Sequence, residues 1–192
     1  MSRPMNESSA LRPEDARQDV RPSVTMRRLE AGDLEDIAAL CDEAAFAGES
    51  AEGPAPMDRA YLRSRLFGGE AKFEAYGLYE GGRLVAWGAL APHTYRPVYN
   101  VCAEISLVVA TSRRRRGLGR RLATHLLERA HAHRLHTVLV VLPSEPTHPM
   151  AWAVRLGFVS VGGLSGALQT GDDEWYDIVL MQKYLAYEEP GQ

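Results

Sequence analysis

The stretch Leu107-Val108-Val109-Ala110-Thr111-Ser112-Arg113-Arg114-Arg115-Arg116-Gly117-Leu118-Gly119 decides the fold. Its apolar, β-branched first half predicts a strand from Val101 to Ala110, with Leu107, Val108 and Val109 buried on both faces. Beyond it, Leu118, Leu122, Leu126, Leu127 and Ala130 share one helical stripe, which predicts an amphipathic helix over Gly117 to Arg134. A strand that runs through a basic loop into a helix aims unpaired backbone N–H groups and the positive helix end at one spot. Gly117 and Gly119 let a ligand approach without a Cβ in the way, and arginine adds charge-assisted hydrogen bonds. A phosphate or pyrophosphate is expected there.

Working outward, Thr137 to Leu142 is a continuous apolar run of the kind found in interior parallel strands, and it completes a strand–helix–strand crossover. Upstream, Phe73–Tyr79 and Arg83–Leu90 flank Glu80-Gly81-Gly82, a hairpin turn. Val24 to Leu29 alternates as a strand. Asp33 stands where a cap precedes Leu34, Ile37, Ala38 and Leu40, and Asp58 caps a second helix stopped by Gly68-Gly69. Downstream, a short helix ends at Leu156-Gly157-Phe158, with strands over Val159–Leu168 and Glu174–Tyr184. The order β-α-α-β-β-β-α-β-α-β-β makes an α/β domain with a mixed sheet and helices on its faces.

Composition narrows the class. The chain has 192 residues, 45% apolar and 24% charged, which suits one soluble domain. We expect a polar, disordered tail over 1–22, a folded domain over 23–187 and a short tail over 188–192. Two cysteines, Cys41 and Cys102, exclude a disulfide framework and lack zinc-site spacing. No apolar run approaches the roughly 20 residues of a membrane span, and no secretory signal is legible, so a cytoplasmic location is expected. A net charge of −3 disfavours nucleic acid as a partner. His131 and His133, with His125 and His136 nearby, do not share a helix face as a metal pair would, and are expected at the solvent surface. Trp152 is expected in the core; Trp175 and Tyr176 either pack or reach the acceptor.

The loop lacks G-x-x-x-x-G-K-[ST], and no G-x-G-x-x-G follows the first strand, which excludes the common nucleotide loops. What remains is [QR]-x-x-G-x-[GA], carried by Arg114, Gly117 and Gly119 between strand and helix. With this element order, residues 24 to about 185 resemble the GNAT superfamily of acyl-CoA N-acyltransferases. A narrower resemblance, to the phosphinothricin acetyltransferases, rests on Arg96-Pro97-Val98-Tyr99, Glu104, Leu135-His136-Thr137-Val138 and Trp175 to Gln182.

The resemblance implies a mostly antiparallel sheet with a splayed strand pair, acetyl-CoA as co-substrate without a metal, and transfer to the primary amine of a small, amino-acid-like acceptor. It also implies a homodimer. Val108 and Val109, at a bulge, would contact pantetheine or the acetyl carbonyl. Arg114, Arg115, Arg116, Gly117, Leu118, Gly119 and Arg120 would cradle the pyrophosphate. An ammonium has no lone pair, so a carboxylate must take its proton; Glu104 matches the family's catalytic glutamate. The Val109 amide would stabilise the oxyanion. Tyr95, Arg96 and Tyr99 are candidates for lining the acceptor pocket.

Several positions depart from the family. Ala153 stands where a tyrosine or histidine acid is usual, an expected asparagine is missing near Ser144 or Thr147, and Thr111 replaces a proline. This leaves the general acid open, with His148 a substitute, although a thiolate leaves without much help near neutral pH. It also keeps a second reading alive, a degenerate acyl-CoA-binding domain serving as a sensor or partner subunit.

Overall fold

The computed structural model describes residues 23–46, 56–94, 97–99, 101–145, 148–169 and 174–185. The two expected tails lie outside them. The expected order of elements is present: β1 (Val24–Arg28), α1 (Leu34–Phe46), α2 (Arg59–Phe67), β2 (Ala75–Glu80), β3 (Arg83–Pro92), β4 (Cys102–Val109), α3 (Leu118–Ala132), β5 (Thr137–Pro143), α4 (His148–Arg155), β6 (Val159–Gln169) and β7 (Trp175–Tyr184).

Local chemistry accounts for most of the boundaries. Asp58 caps α2, its Oδ1 accepting the N–H groups of Ala60 and Tyr61 at 2.7 and 3.3 Å. Gly81 and Gly82 take φ of 58° and 81° in the β2–β3 turn, a region costly for residues with a Cβ. Asp33 does not cap α1 as expected. It closes a 3-10 turn just before the helix, accepting the Glu30 N–H at 2.8 Å, pairing with Arg27 at 2.5 Å and accepting the Tyr79 hydroxyl at 3.1 Å. Arg27 beside it holds the Asp33 carboxyl down at about 2.

The seven strands form one sheet in the order β1-β2-β3-β4-β5-β7-β6. It is mixed and mostly antiparallel, with β4–β5 its one parallel pair among the described strands. Here β5 differs from the sequence expectation. It pairs in parallel with β4 over only three residues and antiparallel with β7 over seven, from Thr137↔Tyr184 to Pro143↔Ile178. An apolar run reports burial on two faces and carries no information about the partner's direction.

Helices cover both faces. Leu34, Ile37, Leu62 and Leu66 of α1 and α2 pack with Trp87, Ala89, Val108 and Ala110 on one face. On the other, Leu126 and Ala130 of α3 pack with Ala103, Ile105, Val138 and Phe158, and half-buried Trp152 joins them as expected. Trp175 is 63% exposed, so it belongs to neither core.

The histidines depart in part from the surface expected of them. His133 is tied to buried Glu74 at 2.9 Å, and the His125 ring stands edge-on to Tyr76 at 4.4 Å. Among the described residues no cluster of His, Cys, Asp and Glu could hold a metal, and no helix is long and apolar enough to cross a membrane.

Candidate active site

The site is built on β4. Antiparallel partners alternate between pairs that exchange hydrogen bonds and pairs that do not. The Ala110 N–H donates to the Val85 carbonyl at 2.9 Å, so by alternation Trp87 and Val108 form a bonded pair, while Leu107 and Val109 turn their backbone groups away from β3. On that far side β5 accompanies β4 only as far as Glu104↔Leu139. Beyond Glu104 the two strands part, and the backbone edge at Leu107 and Val109 is left without a neighbouring strand.

This geometry corrects the expectation of a bulge. No bulge interrupts β4 against β3, since the register runs unbroken from Ala86↔Val109 to Pro92↔Ala103. Val108 faces β3 with its backbone and the α1–α2 core with its side chain, 5% exposed. Without a bulge to shift the parity, the backbone groups of Leu107, and not those of Val108, face the open edge.

The open edge runs into the basic loop. Thr111–Arg113 form a 3-10 turn, Arg115 takes φ 58°, and Gly117 takes φ 80° just before α3. No side chain caps this end of α3, and the Arg121 N–H makes the first helical bond, to the Gly117 carbonyl at 3.0 Å. The amides of Leu118, Gly119 and Arg120 therefore point out of the helix N-terminus. A Cβ on Gly117 would meet nothing within 4 Å, and one on Gly119 would lie 3.5 and 3.6 Å from the side chains of Leu107 and Val109. The cradle is open and sits directly against the end of β4, which fits a pyrophosphate on the loop and an extended arm along the strand edge.

The arginines do not act as one cluster. Arg113 and Arg116 both bind the buried Glu80 carboxylate, Arg116 at 3.1 Å. Arg114 folds back to donate to the Val109 carbonyl at 3.2 Å, and burial lowers its pKa. Arg121 donates to the Val24 carbonyl. Arg115 and Arg120 remain exposed beside the helix N-terminus. Of the predicted contacts, Arg114 and Arg116 are thus already engaged within the protein. Across the loop, Glu43 of α1 accepts the Thr111 N–H at 2.8 Å.

At the other end of the open edge stands Glu104, its side chain on the α1–α2 face and 20% exposed. Arg65 of α2 binds its Oε1 at 2.7 Å and is itself fixed by the Pro92 carbonyl at 3.0 Å. His93 Nδ1 lies 3.6 Å from Oε2. Burial and the Glu104 charge raise the nearby Cys102 thiol. Tyr99 is half exposed in a 3-10 turn over Pro97–Tyr99, while Tyr95 and Arg96 lie outside the described residues.

Ala153, on the core side of α4, is fully buried and offers no acid. Ser144 donates its backbone N–H to the Asp177 carbonyl at 2.8 Å. Thr147 and the His148 side chain lie outside the described part. The sequence gives no site role to Arg65, His93, Leu107 or Glu80. The one available signal was the hairpin, which brings Glu80 beside the loop once β3 and β4 are paired.

The family model described as the acetyltransferase (GNAT) family matches residues 36–158, about two thirds of the chain. The chain belongs to the GNAT acetyltransferase family.

Solved GNAT structures share its fold at low identity. A phosphinothricin acetyltransferase from Sinorhizobium meliloti, in complex with acetyl-CoA, is 21% identical with a TM-score of 0.74, covering 84% of this chain and 88% of its own. A ribosomal-protein-alanine N-acetyltransferase from Brucella melitensis is 22% identical with a TM-score of 0.72, covering 84% and 99%. An N-acetyltransferase from Staphylococcus aureus Mu50 is 17% identical with a TM-score of 0.74, covering 84% and 98%. No curated protein sequence is significantly similar. The neighbours' names span a small molecule and a protein as acceptors, so likeness of fold does not choose the acceptor.

Proposed function

We propose that this GNAT N-acetyltransferase moves an acetyl group from acetyl-CoA to the primary amine of a small, amino-acid-like acceptor. The observation that carries the reading is the parting of β4 from β5 after Glu104, which opens a strand edge between a carboxylate and an uncapped helix N-terminus. Acetyl-CoA supplies the activated acyl group. The amides of Gly117, Leu118, Gly119 and Arg120, with Arg115 and Arg120, would hold its pyrophosphate; Leu107 and Val109 would bind its arm.

Glu104 takes a proton from the acceptor ammonium, and the freed lone pair attacks the thioester carbonyl. The Val109 N–H faces the open edge and steadies the oxygen on which charge develops. Arg65 fixes one oxygen of Glu104, and His93 beside the other gives the proton a way to solvent. No acid is needed at Ala153, because a thiolate is a competent leaving group near neutral pH.

The reading also includes a homodimer, formed through β6. This edge strand is exposed over almost its whole length and carries neither charge nor proline, the usual protections against pairing. Its Val159, Val161 and Leu164 are 60%, 52% and 57% exposed.

The test is calorimetric titration with acetyl-CoA, followed by thiol release against amines and amino-acid analogues. Binding with turnover is expected. Binding without turnover across a broad panel favours the sensor reading, and absence of binding refutes the cofactor site.

A further inference from the structure

Six arginines lie between Arg113 and Arg121, and a loop this basic would ordinarily repel itself. The structure resolves the conflict with one carboxylate. Glu80, the last residue of β2, is 5% exposed in its side chain and receives Arg113 on one oxygen and Arg116 on the other. Both guanidiniums hold its carboxyl below the usual carboxylate range. Between these two anchored residues lies Arg115 with φ 58°, a left-handed conformation that a residue with a Cβ adopts at a cost. Gly117, also left-handed, follows directly. The unusual backbone of the loop is therefore clamped on both sides of Arg115 by a single buried group from a different part of the chain.

We infer that Glu80 is a positioning residue for acetyl-CoA binding: it withdraws Arg113 and Arg116 from the cradle and holds the 113–117 backbone in the shape that presents the α3 N-terminus. The inference rests on the cofactor site proposed above. Glu80 touches no ligand in this arrangement. Its effect is to have the loop ordered before the ligand arrives, so that ordering is not charged against binding. A second consequence follows for charge. Two of the loop's guanidiniums are engaged internally and one unit of their charge is balanced, which leaves the backbone amides with Arg115 and Arg120 to meet the pyrophosphate.

The test uses the full chain and two readouts. Glu80→Gln keeps the size of the side chain and removes its charge. Acetyl-CoA affinity by calorimetry is expected to fall about tenfold, the scale of losing one preorganised, sparsely populated residue. In the protein without ligand, backbone amides of residues 113–120 are expected to exchange hydrogen faster than in the wild type. Arg113→Gln, which cuts one of the two ties, should give a smaller effect of the same sign if Glu80→Gln proves too unstable to study. Leu185→Ala truncates the core away from the loop and should lower thermal stability with affinity unchanged.

Unchanged loop exchange in Glu80→Gln overturns the positioning role. Tighter acetyl-CoA binding overturns it too, because Glu80 would then act only as a counter-charge. If the wild type itself binds no acetyl-CoA, the cofactor reading fails, while the exchange measurement still decides whether Glu80 holds the loop.

Discussion

Replacement of Glu74 by glutamine tests a buried charge that four hydrogen bonds satisfy. Glu74 precedes β2, is 3% exposed, and accepts both Arg129 Nε and Nη2 at 2.9 Å, His133 Nε2 at 2.9 Å and the Tyr76 hydroxyl at 2.7 Å. Burial alone would raise its pKa; the hydrogen bonds from Arg129, Tyr76 and His133 reverse that and bring it from 4.5 to about 2. At 1.36 kcal/mol per pH unit the carboxylate contributes at most about 3 kcal/mol above pH 5. Because the folded-state value is the lower one, this stabilisation is complete above 4.5 and is lost as pH falls toward 2. It should be ~2 kcal/mol at pH 3.5 and under ~0.5 kcal/mol at pH 2. At neutral pH, Glu74→Gln should lower Tm by roughly 6–12 °C for a domain of this size. Urea denaturation of both proteins from pH 7 to pH 2 measures the difference directly. Asp33, also held at about 2, titrates in both proteins and cancels. A stability difference that does not change with pH, or none at pH 7, refutes the reasoning.

Three further outcomes are expected. Glu104→Gln should reduce thiol release with a competent amine by about 100-fold or more while leaving acetyl-CoA affinity unchanged, as loss of a general base does; parallel loss of both would make Glu104 structural. Gly117→Ala places a Cβ on a residue at φ 80° with open space around it, so the cost of about 1 kcal/mol is conformational, and it should appear as weaker acetyl-CoA binding in calorimetry. Leu164→Lys on the exposed edge strand should leave monomer stability within about 0.5 kcal/mol but abolish the proposed β6 dimer in sedimentation velocity, since like charges would meet across a two-fold axis.

The fold was legible because its signals are local and redundant. The Leu118–Ala130 stripe, the Asp58 cap and the Gly81-Gly82 turn each specify an element without reference to the rest of the chain. What stayed hidden depends on pairing at a distance. The partner direction of β5 is set by β7, some forty residues away in sequence, and the same apolar run would serve either direction. Asp33 sits one turn from the role the sequence gave it because Arg27 and Tyr79, brought together by the β1–β2 pairing, compete for its oxygens.

The candidate site divides along the same line. Gly117 and the helix behind it follow from sequence order alone, whereas the availability of each amide on β4 is a question of parity, and parity is fixed by the register with β3. A single inserted residue in β4 would exchange the open groups of Leu107 and Val109 for those of their neighbours. The arginine run shows the same limit. Six positive charges in a row of residues look like one anion trap, but a side chain joins the trap only if no carboxylate reaches it first. Glu80 reaches two of them because the β2–β3 turn ends beside the loop, and that proximity exists only after β3 has paired with β4. At the proposed cofactor site, binding would therefore be coupled to sheet formation through the hairpin: a change that shifts the β3–β4 register would alter the open amides and the clamped arginines together, with the loop sequence untouched.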